Sequence, residues 1–134
     1  MISISLDKLA FIIERAREFD AEAAPVNEQE RADSADDEID DILEDSRRNP
    51  TYTELRTAIR DLNVDERSEL VALVWIGRGD FTPQEWTQAV AAARERHNGR
   101  EVGYLAGTPL LADYLEEALS QFGISGEALE SGRL

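Results

Sequence analysis

The sequence predicts an all-α protein, an irregular or orthogonal bundle of five to six helices. Apolar residues recur at three- and four-residue spacings along most of the chain, and helix start and stop signals separate these stretches. No stretch shows the polar–apolar alternation of a half-buried strand. With 134 residues, of which 42% are hydrophobic, the chain can bury one modest core without disulfides or a structural metal.

The N-terminal segment, residues 1–24, is predicted to be one amphipathic helix that begins after Ser5, a favourable N-cap. One of its faces is apolar over its length: Leu6, Leu9, Ala10, Ile12, Ile13, Ala16 and Phe19. Because Ile2, Ile4 and Phe11 flank this face, the helix is more apolar than a peripheral helix needs. We therefore expect it to pack across the core, or onto a second copy as a homodimer.

The next segment, residues 25–49, is an acidic linker followed by a helix predicted between Ser34 and Arg48. Three large apolar side chains could anchor that helix: Ile39, Ile42 and Leu43. Because this stripe is thin, we expect the helix to dock loosely and to be closed by Asn49-Pro50.

Stronger signals define a helical core domain over residues 50–123. Its first helix is expected to be capped by Thr51 or Thr53 and to end at Leu62. Residues 70–76, Leu-Val-Ala-Leu-Val-Trp-Ile, are apolar on every side of a helix. A helix of that kind is buried all round, so we expect this one at the centre of the fold.

Capping signals delimit the remaining core helices. Three helix starts pair a capping residue with a favourable partner: Asn63 with Glu66, Thr82 with Pro83, and Thr108 with Pro109. Helix ends are expected at glycines: Gly77 and Gly79 after the apolar run, and Gly123. A short helical turn is expected over residues 103–107, and a polar tail over residues 124–134.

The chain is strongly acidic, with a formal net charge of −15. The charge is concentrated, because residues 20–45 hold twelve acids against one base, Arg31, a net of −11. Such a field repels nucleic-acid backbones and anionic lipid, so we expect neither nucleic acid nor a membrane as a partner. It would attract a basic protein surface, although acids that only keep the protein soluble and monomeric are the favoured explanation.

The residue inventory limits the kinds of site that we expect. The chain has no cysteine, which leaves no thiolate for a zinc site or a nucleophile and fits a reducing compartment. A signal peptide is not expected from the first residues, and the longest apolar run is far too short to cross a bilayer. We therefore expect a cytoplasmic protein without a metal or another cofactor.

Two long stretches and one short one resemble a known family. They are Leu70-Val-Ala-Leu-Val-Trp-Ile-Gly-Arg-Gly-Asp-Phe81, Gly107-Thr-Pro-Leu-Leu-Ala-Asp-Tyr-Leu-Glu116 and Ala93-Arg-Glu-Arg-His-Asn98. They are similar to DUF3775, a bacterial family of unknown function, over about residues 50–123. The resemblance implies a small bacterial helical protein, and it implies no activity, cofactor or catalytic residue.

Clustered carboxylates carry the two functional hypotheses. The first is an interaction module without catalytic residues, in which five acids engage a basic partner protein: Asp36, Asp37, Asp40, Asp41 and Glu44. The alternative is an all-α, Mg²⁺-dependent phosphohydrolase that uses two pairs of acids one helical turn apart: Glu14 with Glu18, and Asp37 with Asp41. A solvated acidic helix explains the same residues without an ion, and is favoured over the magnesium site.

Overall fold

A computed structural model describes residues 2–22, 49–96 and 100–124. Within these ranges the chain forms six α-helices and a short 3₁₀ turn, and no strand. The elements are α1 (Leu6–Glu22), α2 (Pro50–Arg60), α3 (Val64–Arg78), the 3₁₀ turn (Pro83–Glu85), α4 (Trp86–Glu95), α5 (Glu101–Ala106) and α6 (Leu111–Gln121). The predicted all-α bundle of five to six helices is confirmed.

The central helix of the fold is α3. Its residues from Leu70 to Ile76 are all buried, as the run of apolar residues predicts, and so are the polar residues Ser68 and Glu69 before them. It packs against α6, α4 and α5, so neighbours surround it. A helix in this position loses the amphipathic pattern of a surface helix, because no side of its middle faces water.

Helix α1 belongs to the same hydrophobic core as the later helices. It packs against α2 and α6, and its apolar stripe from Leu6 to Phe19 is buried except for Ala10, which is half-buried. At the surface, Arg17 reaches across to α6, where its guanidinium lies 2.8 Å from Glu116 and 3.6 Å from Asp113. The prediction that α1 packs across the core is therefore confirmed.

The residues before α1 are held to α3 through Glu69, a side chain only 5% exposed. Its Oε1 accepts the backbone N–H groups of Ser3 at 2.6 Å and Ile4 at 3.4 Å. Its Oε2 accepts the hydroxyl of Ser3. A buried carboxylate is tolerated when donors surround it in this way, so Glu69 fixes where the chain enters α1.

Helix caps follow the sequence signals at several ends. Asn63 and Glu66 form a reciprocal capping box, with N–H to side-chain oxygen distances of 3.0 and 2.8 Å. Gly79 ends α3 in the left-handed conformation, with φ of 90°. Gly123 does the same after α6 with φ of 81°, and Ile124 then packs partly on the core.

Two predicted helix starts are wrong. Helix α2 is capped by Asn49, whose side chain accepts the backbone N–H groups of residues 51 and 52, so neither threonine caps it. Pro50 occupies the first helical position, where its missing N–H costs nothing. The last helix begins at Leu111, because Leu110 adopts a left-handed conformation with φ of 60°.

Gly77 does not stop α3, as the sequence had suggested, since the helix continues through Arg78. Instead, Gly77 lies where α3 crosses α6. A Cβ atom at this position would lie 2.0 Å from the backbone oxygen of Tyr114 and 2.7 Å from its carbonyl carbon. The missing side chain therefore lets the two helix backbones meet directly.

Searched over the described residues, no helix combines the length and the apolar character that a membrane crossing needs. The helix predicted between Ser34 and Arg48 lies outside the described residues, as do His97 and the tail from Ser125.

Candidate interaction surface

One concave feature of the described residues is a groove lined by α1, α2 and the residues just after α2. The two helices run antiparallel, because Phe19 near the end of α1 contacts Tyr52 near the start of α2, with ring centroids 4.7 Å apart. The groove has a volume of about 560 Å³ and opens to solvent. Ten of the described residues line it: Asp7, Lys8, Phe11, Ile12, Thr53, Glu54, Thr57, Ala58, Asp61 and Leu62.

The floor and one wall of the groove are apolar. Ile12 and Leu62 are buried and Ala58 is half-buried, which gives the groove its floor. Phe11 stands beside them with 43% of its surface exposed. A large aromatic side chain exposed next to a concave apolar surface is typical of a contact site for another molecule.

The rim of the groove is acidic. Three carboxylates and one amine lie along it: Asp7, Glu54, Asp61 and Lys8. The amine and one carboxylate already have partners, because Lys8 lies 3.0 Å from Glu66 of α3 and Glu54 lies 3.1 Å from Arg15. In the described parts of the chain, neither Asp7 nor Asp61 forms an ion pair. Their negative charges remain available to a ligand.

Glu14 and Glu18, the α1 pair of the magnesium hypothesis, are both bound to one arginine. Arg15 lies 3.1 Å from Glu14, 3.2 Å from Glu18 and 3.1 Å from Glu54. Burial lowers the pKa of Arg15, but the hydrogen bond to Glu54 and the charges of Glu18 and Glu14 raise it overall. The two α1 carboxylates are 64% and 44% exposed, so they lie at the surface around a fixed cation.

The other predicted site residues fall outside the described part of the chain: Asp36, Asp37, Asp40, Asp41 and Glu44. Among residues 2–22, 49–96 and 100–124, no three His, Asp or Glu side chains come together so that they could hold a metal ion. The magnesium hypothesis therefore stays a prediction from sequence, and the geometry around Arg15 adds nothing in its favour.

The glycine-rich turn after α3 is held together by its own contacts. The backbone N–H of Asp80 donates to the carbonyl of Trp75 at 2.8 Å, which closes the helix end. The ring of Phe81 then stacks on Trp75 with centroids 5.7 Å apart, and the guanidinium of Arg96 lies 5.3 Å from the centroid of the Trp75 ring. These residues are part of the packing between α3 and α4.

Sequence reasoning missed the groove and its acidic rim. It recognised Phe11 as an unusual apolar residue on α1 but could not place it against α2. Asp7 and Asp61 are 54 positions apart in the chain (61 minus 7), and nothing in the local pattern connects them. The only signal was the combination of an apolar residue outside the stripe of α1 with acids at one end of each helix.

No solved structure and no curated protein matches this chain. Its sequence matches the family DUF3775, "Protein of unknown function", over residues 52–124. The match begins inside α2 and ends just after α6, so it covers the part of the bundle built around α3. It spans more than half of the chain, and the protein therefore belongs to the DUF3775 family.

Proposed function

We propose that this protein is a non-catalytic protein–protein interaction module whose acidic segment engages a basic surface of another protein. The observation that carries the proposal is the uneven charge: residues 20–45 hold a net −11 of the total −15. A charge that served solubility alone needs no such concentration, since acids spread over the surface keep a protein soluble equally well.

Electrostatics explains what a concentrated acidic segment does. At physiological ionic strength, charges within about 8 Å of one another act together, so closely spaced acids create a stronger local field than the same acids dispersed. Such a field steers an oppositely charged protein toward the segment and disfavours acidic competitors. The helical bundle, with its buried α3, supplies a rigid body that carries the segment.

The proposal is tested by capture of binding proteins on the full chain, followed by binding measurements with the purified partner. Neutralising four acids of the segment should weaken binding by roughly tenfold or more, which corresponds to about 1.4 kcal/mol. The four substitutions are Asp36→Asn, Asp37→Asn, Asp40→Asn and Asp41→Asn. Raising the ionic strength from about 0.05 M to about 0.5 M should weaken the wild-type complex in the same direction.

A matched control removes four exposed acids of the bundle: Asp80→Asn, Glu95→Gln, Asp113→Asn and Glu117→Gln. This variant has the same net charge as the segment variant, so it separates an effect of position from an effect of total charge. Binding that is unchanged in the segment variant, or weakened equally in both variants, contradicts the proposal.

A further inference from the structure

The groove between α1 and α2 has the length of a short helical ligand. Its lining residues run from Thr53 of α2 to Asp61 and Leu62, just past the end of that helix. The eight residue steps from Thr53 to the C-cap Asp61 correspond to about 12 Å along a helix. On the α1 side, Asp7 to Ile12 complete the opposite wall. An open, mostly apolar groove of this length accommodates about two turns of an amphipathic helix laid along it, the arrangement known as helix-in-groove recognition.

The acidic side chains on the rim of the groove favour a positively charged ligand. Asp61 is the C-cap of α2, so its carboxylate lies at the helix end that carries partial negative charge. Asp7 lines the same end of the groove, because α1 and α2 run antiparallel. Two carboxylates without an ion-pair partner in the described chain, together with a helix C-terminus, favour lysine or arginine side chains above this end.

The same charges disfavour the other available occupants. The chain's own acidic segment, residues 20–45, would bring its net −11 against a rim that is itself negative. A second copy bound through the same surface would place equivalent surfaces face to face, and with them Asp7 and Asp61 of both copies. Like charges in such contacts are repulsive, whereas a basic ligand is attracted.

We infer that the α1–α2 groove binds the apolar face of a basic amphipathic helix from a partner protein, with Phe11 as the main apolar contact and Asp7 and Asp61 as the cation-binding rim. This inference rests on the proposed function, since it supplies the geometric receptor for the basic partner that the acidic segment attracts. The acidic segment accelerates encounter, and the groove recognises the shape of the ligand.

The experiment uses two labelled synthetic peptides of about 14 residues, long enough to span the groove as helices. The first has leucines at helical i, i+3, i+4 and i+7 positions with lysines elsewhere. The second has the same composition in an order that leaves no apolar face. Fluorescence anisotropy then measures the affinity of each peptide for the full-length protein.

The amphipathic peptide should bind about tenfold more tightly than the reordered one. Phe11→Ala should remove most of that difference, while Val64→Ala should leave it unchanged, because Val64 is as exposed as Phe11 but lies outside the groove. Asp7→Asn combined with Asp61→Asn should weaken the amphipathic peptide several-fold, and more at low salt.

Failure of the groove can be told apart from failure of the proposed function. Equal binding of both peptides, insensitive to Phe11→Ala but weakened by the four asparagine substitutions in the acidic segment, overturns the groove and leaves the interaction module standing. Absence of binding by either peptide overturns the groove, and the proposed function is then decided by its own test, the four asparagine substitutions measured with the purified partner.

Two outcomes would give the groove another occupant and so overturn the inference. Tighter peptide binding after replacing the apolar residues of the acidic segment with serine (Ile39→Ser, Ile42→Ser and Leu43→Ser) would show that this segment covers the groove. A dimer in light scattering that becomes a monomer in Phe11→Ala would show that a second copy covers it.

Discussion

Where α3 crosses α6 the two backbones meet, whereas α1 and α2 leave an open groove of about 560 Å³ beside their contact. The first pair has a glycine at the point of closest approach, so no side chain separates the helices. The second pair has charged residues on the rim of its groove, and closing the groove would bury Asp7 and Asp61 without partners. Burying an unpaired carboxylate costs on the order of several kcal/mol, so the groove stays open and both side chains keep their water.

The helices of this small bundle therefore pack in two different ways, one closed and one open. The α3–α6 crossing lies inside the region matched by the family, and its geometry depends on one missing Cβ atom. The groove combines α2 with α1, which precedes the matched region. We therefore expect substitutions at the crossing to change stability, and substitutions along the groove to change binding.

The largest effect is expected for Gly77→Ala. The new methyl group would lie 2.0 Å from the backbone oxygen of Tyr114. Because the methyl group is fixed to the backbone of α3 and the oxygen belongs to the backbone of α6, neither atom can move away without its helix. Overpacking of this kind costs about 3 kcal/mol or more, because a whole helix must shift. Chemical denaturation of the purified variant measures the loss.

Gly103→Ala is the matched control for that substitution. Gly103 lies within α5, and a Cβ atom there would meet nothing within 4 Å. Replacing a helical glycine at an open position should raise stability by about 0.5–1 kcal/mol. If both variants changed stability by similar amounts, the close crossing of α3 and α6 would not be what Gly77 provides.

The next effect concerns Glu69, which connects the start of the chain to α3. In Glu69→Ala the N–H groups of Ser3 and Ile4 lose their acceptor, and the chain before α1 loses its attachment. We expect a loss of about 2–3 kcal/mol, the usual cost of removing a charged acceptor from buried donors. Amide hydrogen exchange should rise at Ser3 and Ile4 and remain low in the middle of α3.

Ser3→Ala tests the same attachment from the other side, because it removes the hydroxyl donor and leaves both backbone donors in place. It should cost clearly less than Glu69→Ala. An equal cost would mean that the serine hydroxyl, and not the backbone N–H groups, holds the segment.

Most of the fold could be predicted because its signals are local. Asn63 and Glu66 interact within one turn, and Gly79 and Gly123 act on their own helix ends, so pattern and spacing identify them. The burial of α3 can likewise be predicted from its own sequence, because the continuous apolar run leaves no polar side for water.

The predictions that failed concern residues whose role depends on which part of the chain they contact. Thr108 could cap the last helix, but its hydroxyl donates to the carbonyl of Tyr104 at 2.6 Å, in the preceding helix. Gly77 could end α3, yet its position opposite Tyr114 decides its role. The groove could not be predicted at all, since the separation of α1 and α2 depends on contacts between residues far apart in the chain.

A smaller effect, and one that depends on pH, is expected for Glu66→Gln at the start of α3. The pKa of Glu66 is lowered by the hydrogen bond from the backbone of Asn63 and then by Lys8, from an ordinary value of 4.5. Because the pKa is lower in the folded protein than in the unfolded chain, the ionised carboxylate contributes its full stabilisation above the ordinary value of 4.5. The contribution is lost as the pH falls through the folded pKa.

Glu66→Gln should therefore be less stable than the wild type by about 0.5–1 kcal/mol at neutral pH, since glutamine keeps a capping oxygen but not the charge. The difference should begin to shrink below pH 4.5, where the unfolded chain takes up the proton, and shrink further as the pH falls through the lowered pKa of the folded carboxyl group. Denaturation curves collected across this range test the sign, and a constant difference down to pH about 3 contradicts it. Lys8→Gln should reproduce part of the effect, because it removes only the second cause.

The smallest effect on stability is expected for Phe11→Ala, the substitution that should most impair peptide binding. Phe11 is 43% exposed, and within the described part of the chain its ring contacts the guanidinium of Arg15, 5.3 Å from the ring centroid. Such a contact at an exposed site is worth about 0.5 kcal/mol, and alanine returns part of that as helix propensity. The net change in unfolding free energy should stay within about 0.5 kcal/mol.

Ile12→Ala gives the contrast, because Ile12 is the next residue of α1 and is only 1% exposed. It should cost about 3 kcal/mol through the cavity that it leaves. If Phe11→Ala were as destabilising as Ile12→Ala, Phe11 would serve the core, and the groove wall would be structural. If it is not, the bundle exposes an aromatic side chain that its own stability does not require, which is the condition under which the peptide-binding result for Phe11→Ala reports on the groove alone.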